Sequence, residues 1–197
     1  MWRRGTDDRG WRDTEFVALD FETTTGDPRR AQPLSVGWVV VAAGRVRFSD
    51  AGYQLIDHVG DVPAASLQVH RLLPSDLAAG TTVTALAARL RPVLADRIVV
   101  AHGAWIERAL LDRMGVRRRA LVDTLAVVRR LDEREGRGHH AAGLTAAARR
   151  FGVPAARAHH AFGDALTTAL LLLAIAGQLE LQRSRCLADD LIRLGRA

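Results

Sequence analysis

The stretch "EFVALDFET", residues 15–23, constrains this chain more than any other. It is apolar enough to be a buried strand, yet it ends in two carboxylates. Side chains alternate along a strand, so Asp20 and Glu22 project from one face and Phe21 from the other. Two acids at the end of an apolar strand are costly unless they are paired or hold cations. Hard oxygen ligands suit Mg²⁺ or Mn²⁺. The plain alternative is a pair of acids at a solvated strand end. Phe21, Leu19 and Phe16 are expected in the core.

The rest of the chain reads as a single α/β domain. At 197 residues and 48% hydrophobic content it is long enough for one sizeable core. A Val-rich segment, 34–56, is broken by "AAGR" and predicts a two-stranded hairpin. An amphipathic helix follows within 74–96, with Thr82 or Thr84 as its N-cap. "RIVVAH", 97–102, is a short buried strand, and "AWIERALLDRMG", 104–115, has helical spacing. "LVDTLAVVRRL", 121–131, reads as a strand or a helix start, and 133–140 as a charged loop. Helices are expected over 142–152 and 163–182, with a terminal amphipathic helix beyond. The expected divisions are a tail at 1–14, a domain at 15–182 and a helical extension at 183–197. A strand-rich start followed by alternating helices and strands points to an α/β layer fold.

Composition sets further bounds. The one cysteine, Cys186, excludes an intrachain disulfide and a cysteine zinc cluster. No apolar run approaches the ~18 residues that span a bilayer, and the charged N-terminus lacks an apolar secretory core. A cytoplasmic location without membrane attachment is the expectation. The net charge is +6, and all 28 basic residues are arginine. That balance suits a polyanionic partner. "RRR" at 117–119 is either part of a basic groove or a scattered, solvated surface.

Two more segments carry candidate chemistry. "VVAHGAWIE" leads from a strand into a helix with Glu107 in its first turns, near the positive end of the helix dipole. "RAHHAFGDA" places Asp164 at the start of the long apolar helix, with His159 and His160 just before it. Singly, Glu107 reads as an exposed helix glutamate, and Asp164 as an aspartate of a first helical turn.

Together the three segments resemble the DEDDh 3′–5′ exonuclease family, which is DnaQ-like. It includes the proofreading subunit of replicative DNA polymerase, RNase T and oligoribonuclease. "LDFET" is similar to its DxET motif, "HGAWIE" to HNAxFD and "HHAFGDA" to HxAxxDA. "DTL" at 123–125 and "LTAAARRFGVP" also look like this family, and the resemblance covers roughly 15–180.

The resemblance implies an RNase H-like fold, a central mixed five-stranded sheet flanked by helices. It implies two-metal phosphodiester hydrolysis at 3′ ends of single-stranded DNA or RNA, releasing nucleoside 5′-monophosphates. Asp20, Glu22 and Asp164 would bind the two ions, Mg²⁺ or Mn²⁺, with Glu107 helping at the second. The ions would lie ~4 Å apart and clamp the attacking and leaving oxygens. His159, five residues before Asp164, matches the family's general base; His160 does not. His102 is a supporting cleft residue. Thr23, Thr24, Trp105 and Phe162 are candidate substrate contacts, and Phe21 is kept with them despite its core-facing side. His58, His139 and His140 carry no motif signal, whereas His70 sits where the family often has a cleft histidine. Two departures stand out. Glu107 replaces the usual aspartate, with Asp112 as its nearest rival, and Gly103 replaces asparagine. Other readings are an RNA-trimming or short-oligonucleotide hydrolase and a non-catalytic, polymerase-associated module. The C-terminal segment is a candidate homodimer interface.

Overall fold

The computed structural model describes residues 8–137 and 143–196, so His139 and His140 lie outside the described residues. Strand β1 (Phe16–Thr23) is the middle of a five-stranded sheet of order β3-β2-β1-β4-β5. It pairs antiparallel with β2 (Pro33–Ala42) and parallel with β4 (Ile98–Ala101). β3 (Arg45–Leu55) continues the hairpin, and β5 (Ala120–Asp123) closes the other edge in parallel with β4. The hairpin turns on Ala43 and Gly44 at φ 50° and 68°, the paired positive values of a tight two-residue turn.

Helices cover both faces of the sheet. α1 (Ala64–His70), α2 (Pro74–Leu77) and α3 (Val83–Leu94) follow β3. Thr82 is the N-cap of α3 and accepts the Ala85 N–H at 3.2 Å. α4 (Trp105–Arg113) follows β4, and α5 (Thr124–Arg134) follows β5. The ambiguous 121–131 segment is therefore both a strand and a helix, changing over at Asp123. α6 (Leu144–Arg150), α7 (Ala161–Arg183) and α8 (Ala188–Leu194) complete the chain. The sheet is mixed and flanked by helices, as the resemblance implied.

The near-continuous apolarity of β1 has a simple cause: both of its faces are buried. Phe16 and Ala18 pack with α7 and α8 residues such as Leu172 and Leu191. Val17, Leu19 and Phe21 pack on the other side with Leu86, Leu90, Leu110 and Leu111 of α3 and α4. By the same alternation, Asp20 and Glu22 face the α7 side. The 23 residues of α7 are apolar enough in length and composition to cross a membrane, but here they lie along β1 and β2 and bury Ala165, Leu172 and Ile175.

One close approach sets the position of α7. A Cβ added to Gly37 of β2 would lie 2.3 Å from the Phe162 nitrogen. Gly37 is also the register partner of Asp20. Helix backbone therefore rests directly on sheet backbone next to the first acid.

Of residues 1–14, read above as a tail, 1–7 lie outside the described residues. Trp11 is buried in the α7-side core, and its backbone N–H donates to the Cys186 carbonyl at 3.1 Å. The expected C-terminal extension is packed in too. α8 buries Ala188, Leu191 and Leu194, and the Gly195 carbonyl accepts the Asp123 N–H at 3.0 Å.

Gly37→Ala should destabilise the fold by roughly 2–3 kcal/mol or more, because helix backbone cannot yield as a flexible side chain can. Urea unfolding midpoints of the two proteins check this. A variant as stable as the parent would show that α7 does not rest on β2 there.

Candidate active site

Three carboxylates meet where β1 passes under the start of α7. One oxygen from each of Asp20, Glu22 and Asp164 lies within 4.8 Å of the others. Burial is the main cause that raises all three acid groups. Asp20 is held well above the usual range, first by burial and then by Glu107, Asp164 and Glu22. Glu22 is pushed up to about 7 by burial and by Asp164. Asp164 is raised by burial, against the opposing pull of the His159 N–H and of both neighbouring histidines. This cluster must take up either protons or cations. An all-carboxylate donor set fits a hard divalent ion such as Mg²⁺ or Mn²⁺.

The entry to α7 is tightly shaped. His159 takes a left-handed φ of 58°, and its N–H donates to Asp164 Oδ2 at 2.9 Å. A Cβ at Gly163 would stand 2.4 Å from the Arg157 carbonyl oxygen, so the 157–160 loop wraps directly over the helix. The His159 side chain is exposed at the mouth of the site. His160 is half-buried and stacks on Tyr53 of β3, with ring centroids 4.7 Å apart at 21°. The two adjacent histidines thus have different surroundings.

Glu107 reaches the site from the other side of the sheet. It is buried in the first turn of α4 and stands outside the three-carboxylate cluster. Burial lifts it to about 8, against the backbone N–H groups of Glu107 itself and of Phe21. Its carboxylate is thus aimed at the peptide between the two β1 acids. Asp112, the rival, is exposed and paired with Arg118 at 2.7 Å.

The turn before α4 is held by Asp123. Its carboxylate accepts the N–H groups of Gly103 (2.8 Å), Ala104 (3.2 Å) and Leu125 (2.9 Å). This one buried acid caps α5 and fixes the start of α4. Thr124 donates its hydroxyl to the Ala101 carbonyl at 3.1 Å and so accepts from His102 Nδ1 at 3.0 Å. His102 is thereby oriented as a support. Gly103 has φ 74°, and a Cβ there would strike the Trp105 ring at 2.6 Å. The missing asparagine therefore has a steric partner: the indole occupies the space its side chain would need.

An open cleft of about 730 Å³ adjoins the acids, lined by Glu22, Thr23, Thr24, Arg30, Ser66 and His70 among others. Ser66 donates to the Thr23 carbonyl at 2.7 Å. His70 Nδ1 accepts the Leu72 N–H at 2.9 Å, so Nε2 carries the proton that reaches Ser66 Oγ at 3.0 Å. Burial lowers the His70 pKa, which favours this neutral form. The Thr23 hydroxyl donates to the Thr25 carbonyl at 2.9 Å, and the Thr24 hydroxyl accepts the Gln32 N–H at 3.2 Å. Both threonine side chains shape the loop that forms the cleft wall.

The two phenylalanines among the candidate substrate contacts are differently placed. Phe21 is only 6% exposed and packs among Leu19, Val36 and Leu110, because its place in β1 turns it away from the acids. Phe162 is half-buried and packs against the α7-side core. Trp105 is 52% exposed beside the site. Ser66 and Arg30 went unnoticed in the sequence. The one signal for Ser66 was its place one helical turn before His70.

The fold is similar to several solved nucleases. E. coli exonuclease I in complex with a dT13 oligonucleotide matches with TM-score 0.71 at 15% identity, over 87% of this chain and 43% of that one. Cell-death related nuclease 4 matches with TM-score 0.72 at 14% identity, over 85% and 65%. Exonuclease X in complex with 5′ overhanging duplex DNA matches with TM-score 0.68 at 17% identity, over 92% and 99%. In sequence, the chain is 26% identical over 178 residues to the PolC-type DNA polymerase III of Thermotoga maritima, covering 87% of this chain but 12% of that protein. The family model described as Exonuclease (RNase T) matches residues 17–172. By that match, which takes in all four candidate acids and His159, the chain belongs to the exonuclease family.

Proposed function

We propose that this chain is a DEDDh-type 3′–5′ exonuclease that hydrolyses single-stranded DNA or RNA from its 3′ end and releases nucleoside 5′-monophosphates. The observation that carries this reading is the meeting of Asp20, Glu22 and Asp164 within 4.8 Å, with His159 at the helix entry beside them. Two divalent ions, Mg²⁺ or Mn²⁺, fit these donors, and when bound they supply an activated water and neutralise charge developing at phosphorus. Asp20, Glu22 and Asp164 would hold them, and Glu107 would support the second. Glutamate in place of aspartate adds one methylene, which suits an acid reaching from the far side of the strand.

His159 is the general base in this reading. Its backbone N–H is tied to Asp164, and its exposed imidazole is free to take the proton of the attacking water at Nε2 or Nδ1. The 730 Å³ cleft receives the terminal nucleotide, with the Thr23 and Thr24 backbone forming its wall and His70 and Ser66 bracing that wall. Trp105 offers an exposed aromatic face to a base. A second reading is a polymerase-associated module, favoured by the likeness to a PolC-type polymerase.

Incubation of 3′-labelled and 5′-labelled DNA and RNA strands with Mg²⁺, Mn²⁺ or EDTA tests the reading. Metal-dependent release of labelled 5′-monophosphate from the 3′ end is expected. No release from any 3′ end would leave only the non-catalytic alternative.

His159→Ala should lower kcat by about 10²–10⁴-fold, with metal-induced thermal stabilisation retained. His160→Ala should have a far smaller effect. The reverse ranking would give the base role to His160.

The raised carboxylates also predict a pH dependence of stability. Burial pushes Glu22 up to about 7 and Glu107 up to about 8 in the fold, from an ordinary value of 4.5 for a free glutamate. The metal-free fold keeps protons that the unfolded chain has lost, so its stability is full below pH 4.5 and falls as pH rises toward 8. Bound metal replaces those protons. Tm in EDTA should therefore fall from pH 5 to pH 8, and saturating Mn²⁺ should raise Tm more at pH 8 than at pH 5. Equal increments at both pH values would show that the carboxylates do not bind the ion.

A further inference from the structure

Three register partners stand side by side across the sheet: Asp20 of β1, Gly37 of β2 and Tyr53 of β3. Directly paired residues share a face, so Tyr53 projects to the same α7 side as Asp20. Gly37 between them has no side chain. The start of α7 fills that gap: a Cβ on Gly37 would lie 2.3 Å from the Phe162 nitrogen and 2.4 Å from the Ala161 carbonyl carbon. The helix therefore enters the fold between an acid on one side and an aromatic ring on the other.

The two sides hold that entry differently. Toward β1, Asp164 meets Asp20 and Glu22, three acids that burial raises. Toward β3, His160 stacks on Tyr53 with ring centroids 4.7 Å apart at 21°, a contact that needs no cation. His159 lies between these two attachments. Its φ of 58° is in the left-handed region, which is costly for a residue with a Cβ and persists only where the neighbours impose it. On one side its N–H donates to Asp164 Oδ2 at 2.9 Å, and on the other its next residue is the stacked His160. The His159 side chain is exposed, so its backbone is what places the imidazole.

We propose that Tyr53 is a positioning residue: its stack on His160 holds His159 in the left-handed form beside Asp164. The proposal rests on the exonuclease reading for the part that His159 plays, and adds to it the residue that sets His159 in place. Tyr53 and His160 stand outside the lining of the nucleotide cleft, so the stack acts on the rate of hydrolysis and not on strand binding. The ring carries the effect and the hydroxyl does not.

Two measurements on the full chain test this and separate it from the exonuclease reading. In single-turnover hydrolysis of a labelled single strand with Mn²⁺, Tyr53→Leu and His160→Ala should each slow the reaction about fivefold, the strength of one aromatic pair. The half-saturating concentration should stay within about twofold, because the stack touches no substrate. Tyr53→Phe should keep the parent rate. The Tyr53→Leu, His160→Ala double variant should be no slower than either single one, since both remove the same contact. Independently of activity, amide hydrogen exchange at His159, followed by NMR, should quicken about fivefold in Tyr53→Leu and in His160→Ala but not in Tyr53→Phe. If Tyr53→Leu folds poorly, His160→Ala removes the stack from the loop side and decides by the same two readouts. An unchanged His159 exchange rate, equal losses in the Phe and Leu variants, or a roughly 25-fold loss in the double variant, the product of independent effects, would overturn the proposal. If the parent protein releases no nucleotide at all, the exonuclease reading fails, while the exchange series still decides whether Tyr53 sets His159.

Discussion

The structure turns on the mutual repulsion of three carboxylates that the fold forces together. Asp20 and Glu22 are fixed by the alternation of β1, and Asp164 is brought to them because α7 rests on the bare backbone of Gly37. Burial pushes all three groups toward their neutral forms, and like charge adds to it at Asp20 and Glu22. A fold that only had to be stable would place apolar side chains there. Keeping acids crowded on the central strand is sensible only if something positive occupies the space between them.

The surrounding polar groups serve to hold that cluster open and aligned. Asp123 clamps the turn that launches α4, and so sets where Glu107 arrives under β1. His70 and Ser66 tie the Thr23 carbonyl to α1 and fix the end of the strand that bears the acids. The left-handed His159 and its bond to Asp164 hold the mouth of the site, while the stack of His160 on Tyr53 anchors the same loop to β3.

How much of this was legible in the sequence depended on the range of the interaction. The alternation of "VALDFET" put both acids on one face, and the spacing of "HHAFGDA" set His159 apart from His160. Both are local, and both correspond to distinct positions in the fold. Asp123 was visible only as part of a short motif, because its partners at Gly103 and Ala104 are distant in sequence. The need for glycine at position 37 was illegible, since it arises from helix backbone more than a hundred residues away. Trp11 read as tail because charged neighbours surround it; only the return of the chain near Cys186 buries it. The Gly103 departure looked like a lost polar contact, and the Trp105 ring beside it shows the two positions to be coupled sterically.

The central claim is that the β1 acids and Asp164 form one cation-binding centre. Calorimetric titration of Mn²⁺ into the protein with a nucleoside 5′-monophosphate present tests it most directly. The account predicts two ions per chain, with binding lost in Asp20→Asn and Asp164→Asn and retained in Asp112→Asn. Binding that survives the first two substitutions, or no binding in the parent protein, would contradict it.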